Sequence, residues 1–352
     1  MEPRQPQVRL AWEEARRLAR PSAWPEDAHP TPLGALGAGA LDECAEELTG
    51  ALLAQGIAGY TKHMLFFVWL EIERRFGSGG GKHLSRVVPL VQRLTRGEAH
   101  CTHEDGSGRR RVLSYFEGLL PEKPWHEAAD HAWCASLAAH AGAISEELRA
   151  QQGRAGSFGA DLWERPEDFS GFCGGHVVPL VRQGVWSAGD RFRAVREVLA
   201  ALPGLRPFDV AFLRLPPKYR GPVHAGDSNC VLTAHMPLDL PGPDEKRGCT
   251  LTVGEESRAW RFGEVVLFDH TYGHRLRSRS TKAAVTLVCR FYHPGVGEEE
   301  RWALLYLAEL MDALRASPRW RLASLIATET CGVDPQLAER SADRQLTLTG
   351  RG

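Results

Sequence analysis

The sequence predicts an α+β chain built around an antiparallel jelly-roll barrel, and three observations carry that prediction. From Val223 onward, short β-like runs alternate with glycine and proline turns: Cys230–Leu238, Cys249–Val253, Glu264–Phe268, His274–Arg277 and Ala283–Tyr292. Strands this short at this spacing suit a barrel or sandwich. Residues 1–100 read instead as helix. Three histidines, His224, His235 and His274, stand at the ends of the β-like runs with glycine turns between them. That layout suits a metal inside a small barrel, because neutral imidazole is a good ligand for iron, zinc and copper.

Each element has its own signal. Leu41–Leu53 spaces apolar groups as a helix does, Tyr60–Phe76 is a second and more buried helix, and a third spans Leu84–Leu94 after the glycine run 78–81. His100–Asp105 reads as a polar loop, and Arg109, Arg110 and Arg111 after Gly108 read as an exposed one. Ala129–Gln152 is amphipathic, Phe172–Val185 and Phe208–Leu215 read as strands, and Arg191–Leu202 is helical between them. Trp302–Leu314 is a final helix before a polar tail. The expected division is a helical region at 1–115, a barrel domain at 116–297, and a C-terminal helix and tail at 298–352.

Composition narrows the function classes. The chain has 43 basic and 44 acidic residues, for a net charge of −1, so no global field points to nucleic acid or an acidic membrane. The longest apolar run, Met64–Leu70, is too short to cross a bilayer. The polar opening Met1-Glu-Pro-Arg-Gln has no signal-peptide pattern, which with eight scattered cysteines and no C-x-x-C pair predicts a cytoplasmic chain with free thiols.

The densest signal lies in two segments. The first runs His224-Ala-Gly-Asp-Ser-Asn229 to His235. The second runs through Gly248-Cys249, Gly254-Glu255, Trp260-x-x-Gly263, Phe268-Asp269 and His274 to Tyr292-His293-Pro294. Together they closely resemble the aspartyl/asparaginyl β-hydroxylase family of iron- and 2-oxoglutarate-dependent dioxygenases. The good match covers Phe208–Pro294, with a weaker echo back to Leu120. The resemblance implies a double-stranded β-helix (jelly-roll, cupin-like) and Fe(II) held by His224 and His274, with water in place of the carboxylate of the usual facial triad. It also implies His235 on the co-substrate, and hydroxylation of a C–H on an amino acid, peptide or carrier-bound intermediate. The expected partners are that small-molecule or peptidyl substrate and a protein docked on the N-terminal helices.

Gly226 stands where the H-x-D carboxylate of a standard facial triad would be, in agreement with the family, and Asp227 is either a backup ligand or structural. Two departures from the family leave alternatives open. Asp269-His270 replaces the family's Asp-Asp, so Asp269 or His270 would tune the outer coordination shell, or His270 would be a third ligand. The two arginines that bind 2-oxoglutarate in the family are Thr233 and Ala284 here, and the assisting serine is Leu213. Arg290 and Lys282 share the parity of Ala284 and are the candidate replacement cations. Without a replacement, the chain would be an iron oxygenase that does not use 2-oxoglutarate, or a non-catalytic jelly-roll binding protein.

Overall fold

The computed structural model describes residues 38–76, 84–105, 108–154, 162–164, 175–182, 184–240 and 248–316. The first 37 residues, the glycine run at 78–81, the start of the expected strand at 172–174 and the polar C-terminal tail lie outside the described residues. Two compact units emerge, one within 1–98 plus 296–343 and the other within 99–295 plus 344–352. Helix 298–316 thus joins the N-terminal helices, where the sequence suggested a separate C-terminal piece.

The helical unit contains α1 (Ala38–Phe76), α2 (Val87–Thr95) and α6 (Glu298–Ala316). The two N-terminal helices expected from periodicity run together as α1, broken at Gly56, whose φ of 66° and ψ of −161° are non-helical. A residue with a side chain is strained at such a φ, so glycine sets the kink there. Arg86 holds Glu300 with its Nε donating to Oε1 at 2.7 Å, and Gly297 N–H donates to the same carboxylate at 2.8 Å. That carboxylate sits in the first turn of α6, where the helix dipole favours negative charge.

The second unit contains the barrel. The predicted loops at 100–111 form a hairpin instead, β1 (His100–Asp105) with β2 (Gly108–Val112). Their charged sequence lacks the apolar alternation that marks a half-buried strand, which is why they read as loop. The remaining strands are β3 (Trp125–His126), β4 (His176–Arg182), β5 (Val185–Trp186), β6 (Pro207–Leu215), β7 (Val231–Asp239), β8 (Cys249–Val253), β9 (Glu256–Ala259), β10 (Val266–Phe268), β11 (His274–Ser278) and β12 (Ala284–Tyr292). They build a large sheet in the order β3-β10-β7-β12-β6-β4-β5 and a small one in the order β11-β8-β9. All ladders are antiparallel.

Alternation sorts the large sheet into two faces. Val210, Phe212, Leu232, Ala234, Leu287 and Cys289 pack with helices α3 (Ala132–Ala139), α4 (Ala141–Arg154) and α5 (Arg193–Ala201). The opposite residues, Ala211, Leu213, Ala284 and Val288, pack with Cys249, Leu251 and Val253 of the small sheet. Two sheets closing on a shared apolar interior, with helices on the outer face, make the α+β double-stranded β-helix expected. No described helix is long and apolar enough to cross a membrane. Cys44, Cys134, Cys230, Cys249 and Cys289 are buried and in no disulfide.

Candidate active site

Position by position, the barrel interior assembles the histidines. His224 and His274 form an isolated antiparallel bridge, His224 N–H donating to the His274 carbonyl at 3.0 Å and His274 N–H returning the bond at 2.8 Å. Their ring centroids lie 4.2 Å apart. Each ring's Nδ1 faces the carbonyl two residues back: Pro222 O at 3.3 Å for His224 and Tyr272 O at 2.9 Å for His274. A carbonyl can only accept, so each Nδ1 carries the proton and each Nε2 the lone pair. Burial first, then the neighbouring His224, holds His274 down to about 3, and the same two causes hold His235 down to about 3. Neutral imidazole is the form that binds a metal.

His270 lies close by. Burial and then Arg290 push its pKa well down, the Val231 backbone offsetting part of this, and its Nε2 is 3.4 Å from Arg290 Nη2. Gly226 makes room for it, since a Cβ there would fall 1.8 Å from His270 Cδ2. The glycine in the H-x-G sequence and the histidine in Asp-His therefore belong together. The ring occupies the space in which a residue-226 carboxylate would stand. Among the described residues no group of three or more His, Cys, Asp or Glu is placed to hold a metal ion.

Asp269 Oδ1 accepts from Thr271 N–H at 2.9 Å and Thr271 Oγ1 at 2.6 Å, capping the turn between β10 and β11 that presents His270 and His274. It is a positioning residue for that turn.

One rung crosses the large sheet: Trp125, Phe268, Thr233, Arg290 and Asp209 are successive partners on β3, β10, β7, β12 and β6. Arg290 thus sits directly across from Thr233, one strand over from the position that carries an arginine in the family. It is buried, with Nη1 3.5 Å from Asp209 Oδ2. Burial lowers its pKa, while Asp209 and Asp227 act the other way. Lys282 is placed differently from the parity reading. The strand begins at Ala284, so Lys282 lies in the preceding turn, exposed, with its backbone N–H donating to Ser280 Oγ at 2.9 Å. Thr233 and Ala284 are both buried.

The next rung holds His235, paired with Val266 on one side and Val288 on the other. Its ring lies 5.5 Å from Trp260 and 5.4 Å from Phe268, and Phe268 lies 5.1 Å from His274. Among the described residues the buried indole N–H groups of Trp260 and Trp125 have no hydrogen-bond partner. An orphaned buried donor is costly, so a ligand that brings acceptors would relieve these two.

Sequence reasoning missed Trp125 and Asp209, which reach this rung only through strand pairing. It also missed a second imidazole group on the helix-facing side, His126 with His131 at 6.5 Å and His293 at 6.0 Å. The fold and site define an antiparallel jelly roll with an imidazole pair and a buried guanidinium inside. Residues 139–294 match the family model described as aspartyl/asparaginyl beta-hydroxylase, which bears out the resemblance read from the motifs. Aspartyl/asparaginyl beta-hydroxylase of Mus musculus is 25% identical over 111 residues, which is 32% of this chain and 14% of that protein. The ornithine lipid ester-linked acyl 2-hydroxylase of Rhizobium tropici is 28% identical over 128 residues, 36% of this chain and 43% of that protein. The matches therefore span less than half the length of these relatives. Among solved structures, a Pseudomonas putida prolyl-4-hydroxylase aligns over 46% of this chain and 98% of its own at 15% identity, with a TM-score of 0.31.

Proposed function

We propose that the protein is an Fe(II)-dependent hydroxylase that uses a 2-oxo acid and acts on a C–H of an amino acid, peptide or carrier-bound intermediate. The family match supports a hydroxylating oxygenase. The observation that carries the metal is the His224–His274 bridge, with each Nδ1 tied to a carbonyl and each Nε2 left as the ligand atom. Such second contacts fix ring orientation and tautomer, as metal-binding histidines need.

Iron held there, with a 2-oxo acid, would supply dioxygen activation: one oxygen atom goes into the C–H bond and the other into the acid left when the 2-oxo acid loses CO2. The chain's own residues do the rest. Asp269 holds the turn that sets His274. Arg290 places positive charge beside His270 at the metal end, where it favours a carboxylate. His235, Phe268 and Trp260 wall the interior and keep it dry.

Anaerobic Fe(II) titration tests this reading. The intact chain should bind one equivalent, and His224→Ala and His274→Ala should each abolish stoichiometric binding. Iron retained by both variants would remove these two residues as ligands.

A further inference from the structure

The two segments that carry the imidazole pair also carry exposed cations on their outer side. Along β11, His274 and Ser278 are buried while Arg275 and Arg277 are exposed, so alternation turns both arginines away from the barrel interior. The segment leading into His224 runs antiparallel to β11. Gly221 N–H donates to the Leu276 carbonyl at 2.9 Å, and Arg220 and Arg277 are direct partners in an isolated bridge. Arg220 is exposed as well, which sets two arginines opposite each other on one face. Like charges directly opposite destabilise a strand pair. The same ladder continues past β11: Ser278 N–H donates to the Tyr219 carbonyl at 2.8 Å and Lys218 N–H to the Ser280 carbonyl at 2.7 Å. Exposed Lys218 is thereby held alongside the loop that bears exposed Arg279 and Lys282. Across the small sheet the outer face continues as Thr250 and Thr252, partners of Arg277 and Arg275, and then Ser257. The whole chain has a net charge of −1, so this positive field is local.

We propose that this face docks an acidic segment of a polypeptide that carries the substrate group to the imidazoles on the inner side of the same strands. Carboxylates placed between Arg220 and Arg277 relieve the repulsion between them, and a planar guanidinium takes a carboxylate through two parallel N–H bonds. The spacing suits a polypeptide. Arg275 and Arg277 stand two residues apart on a strand, roughly 6.6 Å, and an extended chain with carboxylates at alternate positions repeats at that interval. The hydroxyls of Thr250, Thr252 and Ser257 then give a docked chain hydrogen-bonding partners, where a bilayer surface is held by an apolar wedge as well as by charge. The inference rests on the reading of the His224–His274 pair as an iron hydroxylase centre.

The test uses the full-length chain, incubated anaerobically with Fe(II), and a fluorescein-labelled peptide of alternating Glu and Ser, read by fluorescence anisotropy at low and high salt. One variant combines Arg220→Gln, Arg275→Gln and Arg277→Gln. A second combines Arg149→Gln, Arg191→Gln and Arg193→Gln, exposed arginines on or beside α4 and α5, and so loses the same charge elsewhere. The parent should bind the peptide saturably and more weakly at high salt. Kd should rise by roughly tenfold or more in the first variant and by less than about twofold in the second. The first variant should also unfold at a urea concentration no lower than the parent's, because it removes the like-charge pair, so its lost binding is not lost fold. Equal weakening in the two variants, or no binding by the parent, overturns the inference. So does tighter binding of phosphatidylglycerol vesicles or oligothymidylate than of the peptide with the same dependence on the three arginines, which assigns the face to a membrane or a nucleic acid. A parent that takes up one equivalent of Fe(II) and ignores the peptide leaves the iron reading standing. One that binds the peptide and takes up no Fe(II) overturns the iron reading and, with it, the docking of a hydroxylation substrate.

Discussion

Gly226 and His270 share one space, and that pairing has measurable consequences. A Cβ at 226 would meet His270 Cδ2 at 1.8 Å, so Gly226→Ala has to push the ring off Arg290. The expected cost is about 1–3 kcal/mol. In a His270→Ala background most of that cost should vanish, which a double-mutant cycle by urea unfolding reads directly. Strictly additive costs would mean the ring is not the obstacle. Arg290 is the other decisive residue. Arg290→Met leaves Asp209 buried without its nearest cation, and about 3 kcal/mol of stability should be lost. Adding Asp209→Asn should recover part of it, because no bare charge then remains inside. Both residue types were visible in the sequence, but their neighbours were not. His270 read equally as ligand or outer-shell group, and Lys282 read as Arg290's equal because parity was extended past the start of a strand.

At the scale of elements, the Asn229 side chain ties the loop after His224 to the segment before β3. Asn229 Oδ1 accepts from Phe116 N–H at 2.7 Å and its Nδ2 donates to Phe116 O at 2.9 Å, closing both backbone groups of a buried residue. Asn229→Ala strands that N–H and C=O, and about 2–4 kcal/mol should be lost, seen as a lower melting temperature. A variant melting within a degree of the parent would show that water takes over both bonds. The strands themselves differed in how well local pattern revealed them. β8 has the limits the alternation gave, Cys249–Val253. β9, Glu256–Ala259, escaped notice because it is short and polar, and its evidence as a strand is its pairing with β8. Ala129–Gln152 read as one helix, but the chain breaks it into a 3-10 turn at Ala128–Asp130 followed by α3 and α4.

Across the whole molecule, buried imidazoles set the response to acid. Burial is the largest cause holding His126 down to about 4 and His235 and His274 down to about 3, and it lowers His131 as well. Each group is neutral when folded and takes up a proton near 6.5 when unfolded. Below that pH the unfolded state binds more protons, so stability is full above about 6.5 and falls as pH drops toward the folded values. For His235 and His274 the loss should approach about 2 kcal/mol per group at pH 5. Urea midpoints of the metal-free chain at pH 7.5 and pH 5 measure it. A midpoint that rises on acidification would mean these rings are charged in the fold.

The sequence alone determined the class of fold and the identity of the imidazoles. Alternating apolar residues, glycine turns and fixed spacings from His224 to Pro294 are local properties, and local properties survive in one dimension. Only the tertiary structure decided what stands beside what. Strand register placed Arg290 opposite Thr233 and Asp209, with Trp125 on the same rung. Register is fixed by pairing between strands far apart in the chain. A shift of one residue would turn each of these side chains to the other face.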